Sequence, residues 1–558
     1  MQAERLNGLR LEIVDKVGSP HYDLDGRQQR SSRNGEAVEN HRALKRRHVS
    51  TDLEGTCEAQ SDSLTAEAHK PIDGEVHQLT LWDSDQPIVV RKQGNACGAK
   101  GLTAERRDLR DTSARPRAGV QMRTKLESLT QQARKNPQQK FTSVAHFLDE
   151  EFLTECFLEL KRDRASGIDG VSIEDYEVDL DERLRELVKK LKLKKYKPQP
   201  VKRVYIPKSN GDKRGLGIAT VEDKIVQLGV KKIVEATFEP EFVDTFFGFR
   251  LNRGCHDAIK RLDEEIMKRP INYIVDIDIR KFFDTVDHKW LMKALEQKVK
   301  DRSLLQLIKR MLKAGVIEEG KLIEVDEGTP QGSIVSPVFT NIYLHYVLDR
   351  WFIREVKTKA RGYCELIRYA DDFVVCFQNE RDAKEFVEAL KERLKKYGLE
   401  ITEEKSKLIE FGRYAWQKAQ VEGRRVKTFD FLGFTFYCDS GRNGKFKLVM
   451  KTSGKKMRQK LKEMNEWLKK FRNRESLMKN YWNKLRQKLT GHYAYYGISG
   501  NIRMLQKFYD RTVSLAFKWI NRRSQKKSYK WEKFKRFLDY NPLPQPRICH
   551  SLYTPCLF

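Results

Sequence analysis

Apolar positions change their spacing several times along the 558-residue chain. Up to residue 121 they are sparse and aperiodic. Gly, Ser, Asn, Asp and Arg crowd this stretch, GNACGAKG (94–101) and TSARPRAG (112–119) read as loops, and low order is expected. From Met122 the spacing becomes helical. MRTKLESLTQQARKNPQQKF opens the pattern. SVAHFLDEEFLTECFLELKRD adds a second helix with Phe147, Phe152, Phe157 and Leu160 among its apolar positions. SGIDGVS (166–172) is a turn, and IEDYEVDLDERLRELVKKLKLKKY resumes helix with Leu180, Leu184, Leu187, Val188 and Leu191 at helical spacing. Over 198–437 short strands mix with helices. PVKRVYIPKSNGDKRGLGI predicts a strand, a turn at Asn210-Gly211 and a second strand. YIVDIDI (273–279) predicts a strand on which apolar and acidic positions alternate. IRYADDFVVCF predicts two short strands around a turn, and FDFLGFTFY (429–437) a further hairpin strand. Beyond 451 the pattern is helical again, and no internal repeat is visible.

Charge narrows the partners. Lys and Arg number 109 against 79 Asp and Glu, a net +30. That excess points to a polyanion, most simply a nucleic acid. It is concentrated: residues 451–540 hold 26 Lys and Arg against 6 Asp and Glu. Trp467, Tyr481, Trp482, Tyr493, Tyr495, Tyr496, Tyr509, Trp519 and Trp531 are interleaved there, at a spacing that suits a helical core better than base stacking. Mean hydropathy is −0.69. No apolar run approaches the roughly 18 residues of a membrane span, and the first residues lack an apolar signal core, so neither a membrane nor secretion is expected. Nine cysteines without a CxxC pair read as reduced packing thiols of a cytoplasmic protein.

The chemistry concentrates in RYADDFVVC (368–376). Asp371 and Asp372 are adjacent between apolar runs, where unpaired charge costs several kcal/mol. Adjacent acids at a hairpin tip are ordinarily solvated turn residues. A second acidic strand lies upstream, however, with Asp276 and Asp278 two apart and hence on one face. A strand aspartate and an Asp-Asp tip can converge on one point. Three such carboxylates call for cations, and two Mg²⁺ ions about 3.5–4 Å apart would neutralise them and promote in-line phosphoryl or nucleotidyl transfer. Lys208 and Arg214 flank the SNGDK turn. They suit a triphosphate, Lys as a point charge and Arg as a fork, or are simply a solvated basic turn.

RYADDFVVC resembles the YxDD box of reverse transcriptases, and VYIPKSNGDKRGLGI, DIRKFFDTVDH, TPQGSIVSPVFTNIYL and FLGF resemble their other blocks in the family's order. GHYAYYGISGN (491–501) and WINRRSQKKSYKWEKFKRFL (519–538) look like the maturase region of reverse transcriptases encoded in bacterial group II introns. The resemblance covers roughly 122–552.

The resemblance implies an α+β fold, a right-hand polymerase of fingers, palm with antiparallel sheet and helical thumb, followed by a basic helical maturase region. Composition sets apart 1–121 as a low-order extension, and the resemblance implies 122–197 (helical extension and start of fingers), 198–437 (fingers and palm) and 438–540 (thumb and maturase region), with 541–558 a tail. Its metal ligands match Asp278, Asp371 and Asp372, with Asp276 the competitor for the strand position. Phe283 matches the aromatic under the incoming sugar, although Phe282 and Phe283 compete for a core role. Lys208 and Arg214 match triphosphate ligands, Gln331 in TPQGS the residue near the nucleotide, and Gly433 in FLGF the primer grip. SGIDGVS matches a segment that clamps template RNA. The implied partners are group II intron RNA, an RNA template, a DNA primer or target and dNTPs, with a homodimer among the allowed assemblies and a location beside the nucleoid.

The HNH endonuclease found at the end of many relatives is not expected, because Cys549-His550 and Cys556 are too few to build it. Met122 is a plausible start, with the upstream segment intron RNA read in frame or a real appendage. The leading expectation is an RNA-directed DNA polymerase that also assists splicing of its intron. A domesticated relative acting in DNA repair or phage defence is the alternative, and an RNA-binding maturase without polymerase activity disagrees with an intact aspartate set.

Overall fold

The computed structural model describes residues 115–207, 213–472, 478–522 and 529–552, with side chains from 124 onward except at 471–472. Lys208, the Asn210-Gly211 turn, Cys556 and the GNACGAKG segment lie outside the described residues.

The first helix, α1 (Arg115–Lys135), begins upstream of Met122 and runs through the RPRAG expected as loop. Pro116 stands in the first turn, where its missing N–H costs no helical hydrogen bond. Asn136-Pro137 follows the helix, the residue before a proline being driven out of helical geometry. The second expected helix is shorter than its apolar pattern. A 3₁₀ turn (Ala145–Phe147) precedes α2 (Glu150–Leu158), because the Asp149 carboxylate accepts from the Phe152 N–H at 2.9 Å and starts the helix there. The third divides at Asp179 into α3 (Ile173–Val178), opened by the Ser172–Asp175 capping box, and α4 (Leu180–Lys192). Leu184 and Leu187 are fully buried, each such side chain worth about 1.5–3 kcal/mol. Helix α5 (Val221–Phe238) packs against α1 and α2.

Strands β1 (Val201–Pro207) and β2 (Lys213–Ile218) form the expected antiparallel pair, Ile206 opposite Arg214. Helix α6 (Cys255–Lys268) leads into β3 (Tyr273–Ile277), then α7 (His288–Leu295) and α8 (Arg302–Leu312). Strands β4 (Val316–Glu318) and β5 (Lys321–Ile323) complete a sheet of order β2-β1-β4-β5. Next comes a helical run from α9 (Ser336–Leu344) through π-helical turns at His345–Asp349 and Phe352–Val356 to α10 (Lys357–Lys359). Strands β6 (Cys364–Tyr369), β7 (Asp372–Phe377) and, after α11 (Glu380–Lys396), β8 (Lys407–Glu410) join β3 in an antiparallel sheet of order β6-β7-β3-β8.

After α12 (Arg413–Val421), FDFLGFTFY proves to be two strands rather than one. Strands β9 (Phe429–Phe431) and β10 (Phe434–Ser440) flank a two-residue turn in which Leu432 and Gly433 have φ of +48° and +79°, and β11 (Phe446–Thr452) completes the sheet. Helices α13 (Gly454–Arg472), α14 (Met478–Tyr496), α15 (Ile502–Ile520) and α16 (Trp531–Tyr540) follow. Tyr481, Trp482, Tyr493, Tyr496 and Trp519 are buried among them, as their spacing predicts, while Trp531 remains 41% exposed.

The β6-β7-β3-β8 sheet is buried on both faces. Val275, Ile277, Phe373 and Val375 pack with the N-terminal helices, and Ile274, Val374, Cys376 and Ile409 with α6, the β9–β11 sheet and the C-terminal helices. Cys156, Cys255, Cys364 and Cys376 are buried free thiols. No helix among the described residues is long and apolar enough to cross a membrane.

Candidate active site

Strand register assembles the carboxylates. Asp276 pairs with Val374 and Ile277 with Phe373, so Asp278, the residue after β3, and Asp372, the first of β7, lie at the same end of the two strands. Period-two alternation turns Asp276, Asp278 and Asp372 toward the same side of the sheet, that of β9–β11. Asp371 lies in the two-residue turn between Tyr369 and Asp372, which are themselves paired. The electrostatics record the convergence. Burial raises the Asp371 carboxyl above its ordinary range and Asp278 raises it further, against the lowering charges of Arg214 and Arg368. Burial, then Asp371, Asp276 and Asp278, push Asp372 up to about 8, opposed by a backbone hydrogen bond from Leu432. Asp276 is pushed up to about 6 by burial and by Asp430 and Asp278, against Lys407.

The turn that carries them is strained and braced. Ala370 has φ +57°, a conformation that L residues rarely adopt. Gly248 lies against it so closely that a Cβ there would stand 2.2 Å from the Ala370 nitrogen, and the Asn341 amide donates to the Gly248 carbonyl at 2.9 Å.

A second set of contacts gathers the nucleotide residues expected from sequence. Thr329 N–H donates to the Phe283 carbonyl and Gly328 N–H to the Val286 carbonyl, both at 2.7 Å. Gly217 N–H of β2 donates to the Gln331 carbonyl at 2.6 Å. Gly332, at φ +104°, lies where a Cβ would be 2.8 Å from the Gly217 carbonyl. The TPQGS loop therefore bridges the FFD segment and the β1–β2 hairpin. Gln331 presents a buried side-chain oxygen without a protein hydrogen bond. Arg214, half-buried on β2, has its pKa lowered by burial while the charges of Asp371 and Asp284 act to raise it. Phe282 and Phe283 are both buried, ring centroids 5.7 Å apart. Gly433 sits in the β9–β10 turn beside Asp372. Lys208 lies outside the described residues, and its placement here is not described.

The donor set is three hard carboxylate oxygens on a rigid sheet edge, which suits a hard divalent cation. Asp278 is engaged by Lys405, whose Nζ lies 2.9 Å from its Oδ2. Among the described residues no three His, Cys, Asp or Glu side chains are grouped closely enough to hold a metal ion as they stand.

Several residues of the site carried no expectation from sequence. Arg368 is fully buried and ion-paired with Asp349 of the π-helical turn; a lone arginine in the apolar strand CELIRY is the signal that could have found it. Gln227 of α5 accepts from Ser333 Oγ at 3.0 Å and Ile334 N–H at 3.1 Å, fixing the TPQGS loop from behind.

Fold and site together define a class: an α+β domain with an acidic cluster at the edge of an antiparallel sheet, ringed by a basic hairpin and two glycine-bearing turns. More particularly, residues 206–436 match the family model of reverse transcriptase (RNA-dependent DNA polymerase). The chain is similar to the group II intron-encoded protein LtrA of Lactococcus lactis subsp. cremoris, 32% identical over 304 residues, which are 52% of this chain and 50% of that protein. It is similar to protein YkfC of Escherichia coli (strain K12), 34% identical over 257 residues, 40% of this chain and 66% of that one. Nuclear intron maturase 4, mitochondrial, of Arabidopsis thaliana is 29% identical over 151 residues, 27% of this chain and 19% of that one. The chain thus spans about half the length of LtrA.

Proposed function

We propose that the chain is an RNA-directed DNA polymerase that copies RNA into DNA and binds a group II intron RNA, assisting its splicing and mobility. The observation that carries the reading is the convergence of Asp278, Asp371 and Asp372 beside Arg214 and the Leu432-Gly433 turn. Reverse transcriptases generally use divalent metals. Two Mg²⁺ ions held by Asp278, Asp371 and Asp372 would activate the primer 3′-hydroxyl and stabilise the leaving pyrophosphate.

The protein's own groups do the rest. Arg214, with Lys208, binds the triphosphate of the incoming dNTP by charge and directed hydrogen bonds. Phe283 underlies the sugar, and Gln331 turns its free amide oxygen to the nucleotide. The Leu432-Gly433 turn lets backbone approach the primer end, Gly433 having no side chain in the way. In this reading the β1–β2 hairpin belongs to fingers, the β6-β7-β3-β8 sheet to palm and α13–α16 to thumb and maturase region, whose basic helices contact RNA phosphates. The protein works in the cytoplasm near the nucleoid, as a monomer or homodimer.

The test is primer extension by the full chain on an RNA template with dNTPs and Mg²⁺, beside a D371N/D372N variant. Extension by the wild type alone is expected. If neither extends while both still bind RNA tightly, an RNA-binding role without polymerisation replaces this reading.

A further inference from the structure

Arg368 is the largest side chain wholly removed from solvent, and it carries a charge. All three of its nitrogens are used. Nε donates to Asp349 Oδ1 at 2.7 Å, Nη2 to Asp349 Oδ2, and Nη1 to the carbonyl of Ala370 at 2.8 Å. Its guanidinium carbon lies 3.7 Å from the ring centroid of Phe246, which is itself fully buried. Asp349 is 1% exposed. It comes from the π-helical turn His345–Asp349, an irregularity that re-aims side chains and recurs at functional sites. His345 Nδ1 lies 3.7 Å from Asp349 Oδ2. Burial pushes the Asp349 carboxyl up, but the Arg368 charge together with hydrogen bonds from His345 and Arg368 holds it below its ordinary value.

A buried ion pair is a weak device for stability, because desolvation consumes most of the attraction and apolar residues of similar volume do as well. The third donor is what an apolar replacement cannot supply. Ala370 is the residue at φ +57° immediately before Asp371-Asp372. The direction of its carbonyl and the path of the two aspartates are one geometric variable. Resting on the polymerase reading above, we propose that Arg368, locked by Asp349, is a positioning residue that sets the Asp371-Asp372 turn through the Ala370 carbonyl. Lysine cannot reproduce this, having one nitrogen where the site uses three in a plane.

Two variants of the full chain test it, R368K and R368M/D349L. Each is measured for melting temperature, kcat, KM for dNTP, primer–template affinity and Mn²⁺ binding, followed by loss of the free-ion electron paramagnetic resonance signal. The expected result is a kcat roughly 10- to 100-fold lower in both, with KM and primer–template affinity little changed, because misplacement of a reacting group by about 1 Å has that effect. R368M/D349L is expected to melt close to the wild type while both variants bind Mn²⁺ more weakly. Wild-type kcat in either variant, or losses of kcat that only track the unfolded fraction, would overturn the proposal. A wild type that neither extends a primer nor binds Mn²⁺ removes the polymerase reading and this inference with it. A wild type that extends while R368K matches it removes the inference alone.

Discussion

The hydroxyl of Tyr495 donates to the carbonyl of Leu432 at 3.0 Å. Helix α14 thereby holds the β9–β10 turn whose backbone reaches Asp372. The same turn is tied by Ser453 N–H to the Gly433 carbonyl at 3.0 Å, and Tyr496 Oη fills the space a Cβ on Gly433 would approach to 3.4 Å. Tyr495→Phe removes one hydrogen bond of about 1 kcal/mol from a turn with a left-handed leucine. Melting should fall by only a few degrees, while products of single-encounter primer extension shorten. Unchanged product lengths would mean that the bond serves folding alone.

Gly248→Ala tests the brace on the other side of the carboxylate turn. The added methyl would stand 2.2 Å from the Ala370 nitrogen, so the backbone must move. A destabilisation of about 1–3 kcal/mol is expected, from overpacking. The folded protein should still bind RNA, and extension should drop by roughly tenfold or more because the displaced atoms precede Asp371 directly. Circular dichroism melting beside extension assays separates the two effects.

Gln227→Met keeps the length of the side chain but leaves Ser333 Oγ and Ile334 N–H without their acceptor. An unsatisfied buried donor costs about 1–3 kcal/mol. Since the TPQGS loop carries Gln331, KM for dNTP should rise while RNA affinity stays put. A titration of dNTP at saturating primer–template reads this directly.

His492 supplies a pH dependence. It is buried, stacked on Phe508 with ring centroids 3.6 Å apart, and burial, helped by the Lys460 charge, pushes its pKa down to about 3. The unfolded chain takes up a proton near 6.5, while the folded imidazole stays neutral. Stability from this group is therefore complete above pH 6.5 and declines as pH falls from there toward about 3. His492→Phe should flatten that part of the melting-temperature profile. An unchanged slope would place the acid sensitivity elsewhere.

Much of this was legible because the relevant signals are local. Period-two alternation in YIVDIDI and the apolar runs around Asp371-Asp372 announce strands, and Leu184, Leu187 and Val188 announce the buried face of α4. What failed to read locally did so for identifiable reasons. FLGF continues an alternating pattern, and nothing in the pattern marks a two-residue turn whose first member is a leucine at positive φ. The helix around Phe152 starts late because Asp149 caps it, capping competing with apolar periodicity, and the helix around Tyr176 ends where the backbone leaves helical geometry at Asp179. Arg368 was visible as a residue but not as a function, because its partner, Asp349, lies in another element whose helical phase is altered by a π turn.

The ordered aspartate blocks, the basic C-terminal helices and the match of residues 206–436 to the reverse transcriptase model are properties of residue identity and spacing, and local pattern carries them. The contacts around the carboxylates arise from packing. Antiparallel register brings the end of β3, before Asp278, beside the start of β7 at Asp372, Gln227 and Gly217 hold the loop of Gln331, α14 pins Leu432, and Asp349 locks Arg368 under Ala370. These are pairings between residues far apart in the chain, and local pattern cannot register them, because each depends on how two separately formed elements pack.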